Sequence, residues 1–214
     1  MATETLPDRI PIFPLPNVVL FPHVFLPLHI FEPRYREMVG DVLAGDRILG
    51  MVLLRDGWDR HADPNPPIYP VGCAGRITHA ESLPDGRYNI VLQGTERFRV
   101  VSEDRSRVYR IAQVDVMADD ASSADRERLR AGRQRIEALL EQRFPRTGTE
   151  SRIPRNMTDG ELINVLAQYL AFEPVEKQAL LESCGPCERC AALIDLLEMR
   201  LMAGGVHRPP NGVQ

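Results

Sequence analysis

The stretch FPLPNVVLFPHVFLPLHIFEPRY, residues 13–35, decides how the N-terminal part of this chain folds. An apolar run of this length can suggest a membrane-spanning helix. Pro16, Pro22 and Pro27 argue against a helix, because each proline removes a backbone hydrogen-bond donor and breaks a helix interior. We therefore interpret the stretch as extended chain that builds a core.

Two short segments of this stretch, residues 18–21 and 24–26, are rich in β-branched and aromatic side chains. Such runs, punctuated by proline, predict short strands that bend sharply around a barrel-like core. Pro33 then stands at a favourable first position for a helix, and apolar side chains recur at helical spacing behind it. The sequence predicts this first helix over residues 32–44.

The composition is that of an ordinary globular protein of one or two domains, with 214 residues, 43% hydrophobic and 26% charged. The net charge of −4 predicts neither nucleic acid nor an anionic membrane as a partner. The first ten residues, MATETLPDRI, lack the basic start and the apolar core of a signal peptide. We therefore expect a cytoplasmic protein that does not associate with a membrane.

The rest of the N-terminal half has the pattern of antiparallel β structure. Pro84, Asp85 and Gly86 form a hairpin signal, and Gly94 interrupts a long strand pattern at a point where a bulge or bend is expected. Residues 55–70 contain the Asp-Gly, Asp-Pro and Pro-Pro pairs of a long loop. Strands are predicted at residues 47–54, 71–80, 86–103 and 107–117.

The chain changes character after residue 118, where a polar linker is followed by helical patterns. Thr158 and Glu161 have the spacing of a capping box at the start of one helix. Helices are predicted to begin at residues 123, 158, 174 and 186. The apolar face predicted for the second of them consists of Leu162, Val165, Leu166, Tyr169 and Leu170. The subdomains predicted are residues 8–118 and 123–203, followed by a flexible tail over 204–214.

Five segments together carry a family resemblance: FPLPNVVLFP (13–22), LPLHIFEPRY (26–35), VG (71–72), DGRY (85–88) and GTERFRV (94–100). They are similar to the signature of the Lon protease N-terminal domain over roughly residues 8–203, although Cys73 stands where that family usually has threonine. The resemblance implies an α+β fold, with an N-terminal PUA-like β pseudobarrel followed by a C-terminal α-helical bundle. It also implies a non-catalytic module that recognises polypeptide substrates or protein partners.

The ATPase and peptidase motifs of a Lon protease are absent from this sequence. An ATPase needs a glycine-rich phosphate loop that ends in Gly-Lys-Ser/Thr, and the Lon peptidase uses a serine–lysine pair. Only one of the 26 basic side chains is a lysine, Lys177, and it follows Glu176 on a predicted helix. We therefore expect a stand-alone binding domain without ATPase or peptidase activity, catalytic residues, metal or cofactor. Its partners would be unfolded or hydrophobic polypeptides, or a partner protein such as a separate protease.

The segment CGPCERC, with Cys184, Cys187 and Cys190, offers an alternative function. Cys-Gly-Pro-Cys matches a thioredoxin-like redox motif, and three cysteines at this spacing can also hold a metal. The redox motif normally follows a strand in a βαβ unit, whereas here it lies between two predicted helices. A zinc site would need a fourth ligand, for which Cys73 and His207 are the candidates.

Packing is a third explanation of these cysteines, and the helical spacing favours it. Free cysteine behaves as a small hydrophobic side chain, and an apolar stripe along a helix accommodates it. The stripe consists of Cys187, Cys190, Ile194, Leu197 and Leu201.

Arginines crowded on the first C-terminal helix offer an RNA-binding alternative, since PUA-like folds are often associated with RNA. Glu127, Glu137 and Glu141 share this helix and allow ion pairs at i,i+3 and i,i+4 spacing. The β half also lacks the interleaving of basic and aromatic residues seen in RNA-binding sheets. The pattern therefore favours a solvated face. The arginines are Arg126, Arg128, Arg130, Arg133 and Arg135.

Six apolar or aromatic side chains are the candidates for contact with a polypeptide. Trp58 is the only tryptophan and lies in a loop rich in Pro, Gly and Asp, where it either covers the core or forms an exposed anchor. Core packing is the competing explanation for every one of them. The candidates are Leu20, Phe21, Phe25, Phe31, Trp58 and Tyr69.

Overall fold

The computed structural model describes residues 6–55, 57, 66–119, 122–143 and 157–202. These residues form six strands and five helices, which makes the fold α+β. No helix within these ranges combines the length and the apolar character that a membrane span requires.

The chain divides into two compact units, Met1–Ala118 and Asp119–Gln214. All six strands and one helix belong to the first unit, and the other four helices belong to the second. The strands are β1 (Arg9–Leu15), β2 (Phe25–Ile30), β3 (Ile48–Leu53), β4 (Val71–Ser82), β5 (Tyr88–Asp104) and β6 (Arg110–Met117). The helices are α1 (Pro33–Ala44), α2 (Ser123–Arg143), α3 (Asp159–Tyr169), α4 (Pro174–Glu182) and α5 (Pro186–Met202).

The six strands form one sheet in the order β2-β5-β4-β3-β1-β6, and β6 also pairs with β5. The pairings β5–β4–β3–β1–β6–β5 return to their first strand, so five strands form a closed ring. β1 and β3 run parallel, and the other strand pairs are antiparallel, as the sequence predicts for most of this half. β2 is an edge strand on the outside of the ring, paired with β5.

The four strands predicted after the first helix are confirmed as β3, β4, β5 and β6, with shifts of a few residues at their ends. The first helix is confirmed as α1, with Glu32 as its N-cap and Pro33 in the first turn. The Tyr35 ring packs against Phe13 of β1, with 4.3 Å between the ring centroids. The loop predicted over residues 55–70 lies largely outside the described residues.

The proline-rich stretch departs from the prediction in two respects. The strand predicted at residues 18–21 is wrong, because this segment forms a loop whose Leu20 and Phe21 side chains are buried. Pro16 and Pro22 flank the segment, and proline cannot donate to a strand ladder. The loop therefore packs its apolar side chains into the core instead of joining the sheet, and the strand before it, β1, was not predicted.

A second feature of this loop explains the glycine in β5. The Gly94 N–H donates to the Val24 carbonyl oxygen at 2.9 Å, and the Gly94 carbonyl oxygen accepts from the His23 N–H at 2.8 Å. A Cβ atom at position 94 would collide with the backbone carbonyl of Phe21. Glycine therefore lets the loop lie directly on β5, and the predicted irregularity at this position is confirmed by a register shift against β4.

Phe98 of β5 lies in the core of the first unit, where two glycines make room for its ring. A Cβ atom at Gly50 of β3 or at Gly72 of β4 would lie 2.7 Å from Cζ of Phe98. The three strands approach closely here because neither glycine has a side chain. The buried cluster around this point contains Leu6, Ile10, Ile12, Ile48, Val52, Ala74, Phe98, Ala112 and Val114.

The helices of the second unit begin within a residue or so of the predicted positions. The capping box at the start of α3 is confirmed, with both reciprocal hydrogen bonds between Thr158 and Glu161 present. α2 lies close to α5 at Gly132, where a Cβ atom would collide with Sγ of Cys190. Apolar side chains of all four helices form the core of this unit.

The apolar face predicted for α3 is partly wrong. Leu162 is buried, but Tyr169 is 62% exposed, and two polar side chains, Asn164 and Gln168, are buried in its place. The reason lies on α5, where the buried Arg189 donates from Nη1 to Oδ1 of Asn164 at 2.8 Å. A buried charged side chain needs polar partners, so the face of α3 that meets it is polar.

Candidate functional site

Among the described residues of the first unit, the outer face of β2 is the surface with the most exposed aromatic side chains. Side chains alternate along the strand, so that Phe25, Pro27 and His29 point outward while Ile30 is buried. Phe31 follows directly after the strand. Phe25 is 49% exposed and Phe31 is 59% exposed, which is unusual for large aromatic side chains. We call Phe25, Pro27, His29 and Phe31 the β2 outer face.

This face continues across the neighbouring strands in three rows, because the strand register sets side chains of β2, β5 and β4 beside one another. The rows become more polar from β2 towards β4, so that the aromatic side chains are flanked by polar ones. The rows are Phe25–Gln93–Arg76, Pro27–Val91–His79 and His29–Asn89–Glu81.

The third row is a hydrogen-bonded network that fixes the imidazole of His29. The Asn89 Nδ2 donates to Oε2 of Glu81 at 2.9 Å, so its Oδ1 is the acceptor for Nδ1 of His29 at 2.8 Å. Nε2 of His29 then accepts from Nη1 of Arg87 at 3.3 Å. The His29 ring is stacked beside Phe31, with 6.3 Å between the centroids. The polar row therefore positions the aromatic end of the face.

Arg87 is itself held by Asp85, whose carboxylate accepts from both the Nε and the backbone N–H of Arg87. These hydrogen bonds lower the pKa of Asp85, so this carboxyl stays ionised to a more acidic pH than an isolated one does. The hairpin turn between β4 and β5 is thus linked to the β2 outer face through Arg87.

The open edge of β2 is interrupted by Pro27. The bond from Gly94 N–H to the Val24 carbonyl places Phe25, opposite Gln93, at a position whose backbone groups point away from β5. In an antiparallel pair every second residue directs its backbone N–H and C=O away from the partner strand, so Pro27 occupies the same kind of position as Phe25. Proline has no N–H to donate there. A proline at this place protects an edge strand from pairing with another chain. Recognition on β2 would therefore use side chains more than backbone.

The structure separates the six candidate contact residues into groups. Leu20 and Phe21 are fully buried, which corrects their assignment, because side chains without exposed surface cannot touch a client. Tyr69 is half-buried, and the Arg55 guanidinium carbon lies 5.6 Å from its ring centroid. Trp58 lies outside the described residues. Phe25 and Phe31 are the candidates that the structure exposes together.

Sequence reasoning missed three members of this surface: Pro27, His29 and Val91. Along β2 the letters FLPLHI show no alternation of apolar and polar residues, because the outward side chains are themselves apolar or aromatic. The edge position of the strand is decided by pairing with β5, which no local pattern reveals. The proline in a strand was the available signal of an edge.

The cysteines of the second unit are free thiols in different environments. Cys187 and Cys190 are buried, as the apolar stripe predicts, whereas Cys184 is exposed. Burial and a hydrogen bond to Asp125 raise the pKa of Cys187. Burial raises the pKa of Cys190 to about 11. Within the described residues, no three His, Cys, Asp or Glu side chains come close enough to hold a metal ion.

Several arginines of α2 are paired with carboxylates. Arg133 contacts Glu137 and Asp159, with N–O distances of 2.8 and 3.1 Å. Arg135 contacts Glu198 of α5 at 2.6 Å. These pairs reduce the positive charge that the helix presents, which agrees with the solvated face expected from the sequence.

Comparison with known proteins gives a family. The model of the ATP-dependent protease La (LON) substrate-binding domain matches residues 9–199. Lon protease 2 of Syntrophobacter fumaroxidans is 30% identical over 184 residues, which is 84% of this chain. Lon protease 2 of Myxococcus xanthus is 30% identical over 206 residues, which is 92% of this chain. The chain spans 23% and 24% of the length of these two relatives.

Solved structures agree with the family match. The crystal structure of a Lon N-terminal domain protein from Xanthomonas campestris has a TM-score of 0.60 and 25% identity, and the match covers 87% of this chain and 97% of that one. The N-terminal domain of the Mycobacterium avium complex Lon protease has a TM-score of 0.66 at 16% identity, covering 89% and 98%, and shows likeness of fold. This chain therefore belongs to the family of LON substrate-binding domains.

Proposed function

We propose that this chain is a polypeptide-binding module, and that hydrophobic segments of client proteins bind the β2 outer face. The observation that carries the proposal is the exposure of Phe25 and Phe31 at the two ends of one edge strand. Membership of a substrate-binding family supports the same function. A client in an extended conformation would lay its apolar side chains against the two rings, with Pro27 between them.

The energetics of such a contact suit a weak and reversible interaction. A phenylalanine side chain offers roughly 200 Å² of surface, so covering the exposed halves of two rings removes about 200 Å² from water. At about 25 cal/mol per Å² this burial contributes about 5 kcal/mol before the costs of association. Loss of translational freedom and ordering of the client offset much of this gain. Clients would therefore exchange readily.

The polar row beside the aromatic side chains would orient the client. His29, Asn89 and Glu81 are already hydrogen-bonded to one another, so the row needs little rearrangement when a client binds. Polar groups at the rim of an apolar contact contribute specificity more than affinity. The outer face thus combines apolar anchors with a fixed polar border.

We also propose the finer description of the fold, namely a PUA-like pseudobarrel over residues 8–118 and a helical bundle over residues 123–203. The closed ring of five strands and the mutual packing of α2 to α5 support it. The flexible tail expected at 204–214 lies outside the described residues.

A binding role without catalysis is part of the proposal. Lys177, the only lysine, is half-buried and donates from Nζ to the Gln168 carbonyl oxygen near the end of α3. This contact supports a structural role for the one amine that could have joined a serine–lysine pair. We expect the purified chain to show neither ATP hydrolysis nor peptide cleavage, and a separate protease in the cytoplasm to receive the client.

The binding test uses a permanently unfolded client, such as fluorescently labelled, reduced and carboxymethylated α-lactalbumin, titrated with the protein and followed by anisotropy. The double variant Phe25→Ser/Phe31→Ser is expected to bind at least about tenfold more weakly, because both apolar anchors are lost. Each single variant is expected to show a smaller loss.

Val108→Ser is the matched control, because Val108 is also 59% exposed but lies in the connection between β5 and β6. It should bind as the unmodified protein does. Circular dichroism melting establishes that the variants are folded. Equal affinity of the double variant and the unmodified protein would refute the β2 outer face as the binding surface.

A further inference from the structure

Two cysteines lie where α5 begins: Cys184 in the bend that separates α4 from α5, and Cys187 just inside the helix. The Gly185 carbonyl oxygen accepts from the Arg189 N–H at 3.0 Å, so the helix begins at Pro186. Cys184 precedes the helix, and Cys187 lies in its first turn. Cysteines of Cys-x-x-Cys motifs placed at a helix N-terminus are the ones that typically take part in thiol–disulfide exchange.

The two thiols differ in their access to solvent. Cys184 is exposed, whereas Cys187 is only 6% exposed. An external disulfide therefore reaches Cys184 more readily than Cys187. This difference suits Cys184 to attack an external disulfide, and Cys187 to displace the attached group afterwards.

An acidic side chain of α2 lies beside the buried thiol. Sγ of Cys187 is 3.5 Å from the carbonyl oxygen of Asp125 and 3.6 Å from its Oδ1. The Ser122 hydroxyl donates to Oδ2 of Asp125 at 2.6 Å, and Arg128 lies 3.4 Å from Oδ1. The hydrogen bonds from Ser122 lower the pKa of Asp125, so its carboxylate stays ionised and is held in place as a hydrogen-bond acceptor for the Cys187 thiol.

We propose that Cys184 and Cys187 form a reversible disulfide by exchange with a small-molecule or protein disulfide, RSSR. The Cys184 thiolate attacks one sulfur of RSSR, which forms a mixed disulfide and releases RS⁻. Cys187 then loses its proton to solvent and attacks Sγ of Cys184, which closes the Cys184–Cys187 disulfide and releases the second RS⁻; the two RS⁻ take up the two protons that the cysteines release. The two thiols lose two electrons and two protons, and RSSR is reduced to two RSH.

Cys190 is not part of this site. It lies one turn further into α5, where its sulfur is buried against Gly132 of α2. Its environment is that of a packed apolar side chain, so exchange should leave it unchanged. The difference between Cys190 and the other two cysteines provides an internal control.

The test incubates the folded protein in glutathione buffers of graded redox ratio, followed by acid quenching, thiol alkylation and tryptic mass mapping. Trypsin cuts after Lys177, Arg189 and Arg200, so the peptide 178–189 contains Cys184 and Cys187 but not Cys190. In the oxidising buffers this peptide is expected to lose two hydrogens and to take up no alkylating reagent. The peptide 190–200 is expected to stay alkylated.

Variants make the assignment specific. Cys190→Ser should behave as the unmodified protein, and Cys187→Ser should stop at one glutathione bound to Cys184. Cys184→Ser should keep the thiol of Cys187. A peptide 178–189 that stays fully alkylated, or that carries glutathione without closing its disulfide, would overturn the proposal. The mapping on the unmodified protein decides this even where a variant folds poorly, and it is independent of client binding.

Discussion

Arg189 of α5 donates from Nη1 to Oδ1 of Asn164 of α3 at 2.8 Å, and both side chains are buried. The same guanidinium contacts the Asp119 carboxylate at 3.1 Å and donates from Nε to the Leu180 carbonyl oxygen of α4. One buried side chain thus joins the first residue of the second unit to three of its helices. Removing a partner from such a group leaves a desolvated charge poorly compensated.

Asn164→Leu is therefore expected to lower the free energy of unfolding by about 2–3 kcal/mol, because Arg189 loses an acceptor that water cannot replace. Chemical denaturation followed by circular dichroism measures the change. Tyr169→Leu, on the exposed side of the same helix, should change the free energy by less than about 0.5 kcal/mol. Equal effects of the two substitutions would contradict the role assigned to Arg189.

Gly94→Ala is expected to destabilise the first unit by about 1–3 kcal/mol, because the added Cβ collides with the Phe21 carbonyl and lifts the loop from β5. Thermal denaturation is the measurement. Gly160→Ala is the control, since no neighbouring atom lies within 4 Å of a Cβ at that place in α3. Alanine there should stabilise the helix slightly. A neutral Gly94→Ala would show that the loop does not depend on this contact.

The raised pKa of Cys190 predicts that the free energy of unfolding decreases at alkaline pH. Burial raises this pKa from 9.0 to about 11, so the folded state holds the thiol proton more tightly than the unfolded state does. The resulting stabilisation is present below pH 9 and is lost as the pH rises towards 11. Unfolding free energies measured across this range should fall more steeply for the unmodified protein than for Cys190→Ala. Parallel slopes would show that the thiol does not titrate as described.

Pro27→Val is expected to promote association through the edge of β2, because the substitution supplies an N–H on the side away from β5. Size-exclusion chromatography with light scattering at increasing concentration would detect dimers or larger species. Pro84→Ala, in the turn between β4 and β5, should leave the elution unchanged. A strictly unchanged mass for Pro27→Val would mean that the edge is protected by something other than the proline.

Much of the fold could be predicted from local sequence. Pro33 starts α1, the Thr158 and Glu161 pair starts α3, and proline-glycine chemistry marks the turn between β4 and β5. These features depend on residues a few positions apart, so a single sequence is sufficient to find them. The family resemblance also predicted the order of the elements, a β-rich half followed by helices.

The candidate site was harder to predict. Leu20 and Phe21 differ little in character from Phe25 and Phe31, yet the first pair is buried and the second is exposed. Likewise, the polar Asn164 is buried and the aromatic Tyr169 is exposed on the same helix, because Arg189, 25 positions beyond Asn164, requires a polar partner. The sequence pattern wrongly made Leu20 and Phe21 contact candidates, and it wrongly placed Tyr169 on the apolar face of α3.

The sequence by itself determined that the proline-rich stretch is not a membrane helix, that β structure precedes helices, and that the chain resembles a Lon N-terminal domain. Only the tertiary structure decided which side of that stretch faces solvent. The physical reason is that burial depends on neighbours that are distant in the chain. The loop that contains Leu20 and Phe21 is hydrogen-bonded to Gly94 of β5, and its apolar side chains are buried. β2 pairs with β5 on one side only, which leaves Phe25 on the outer face.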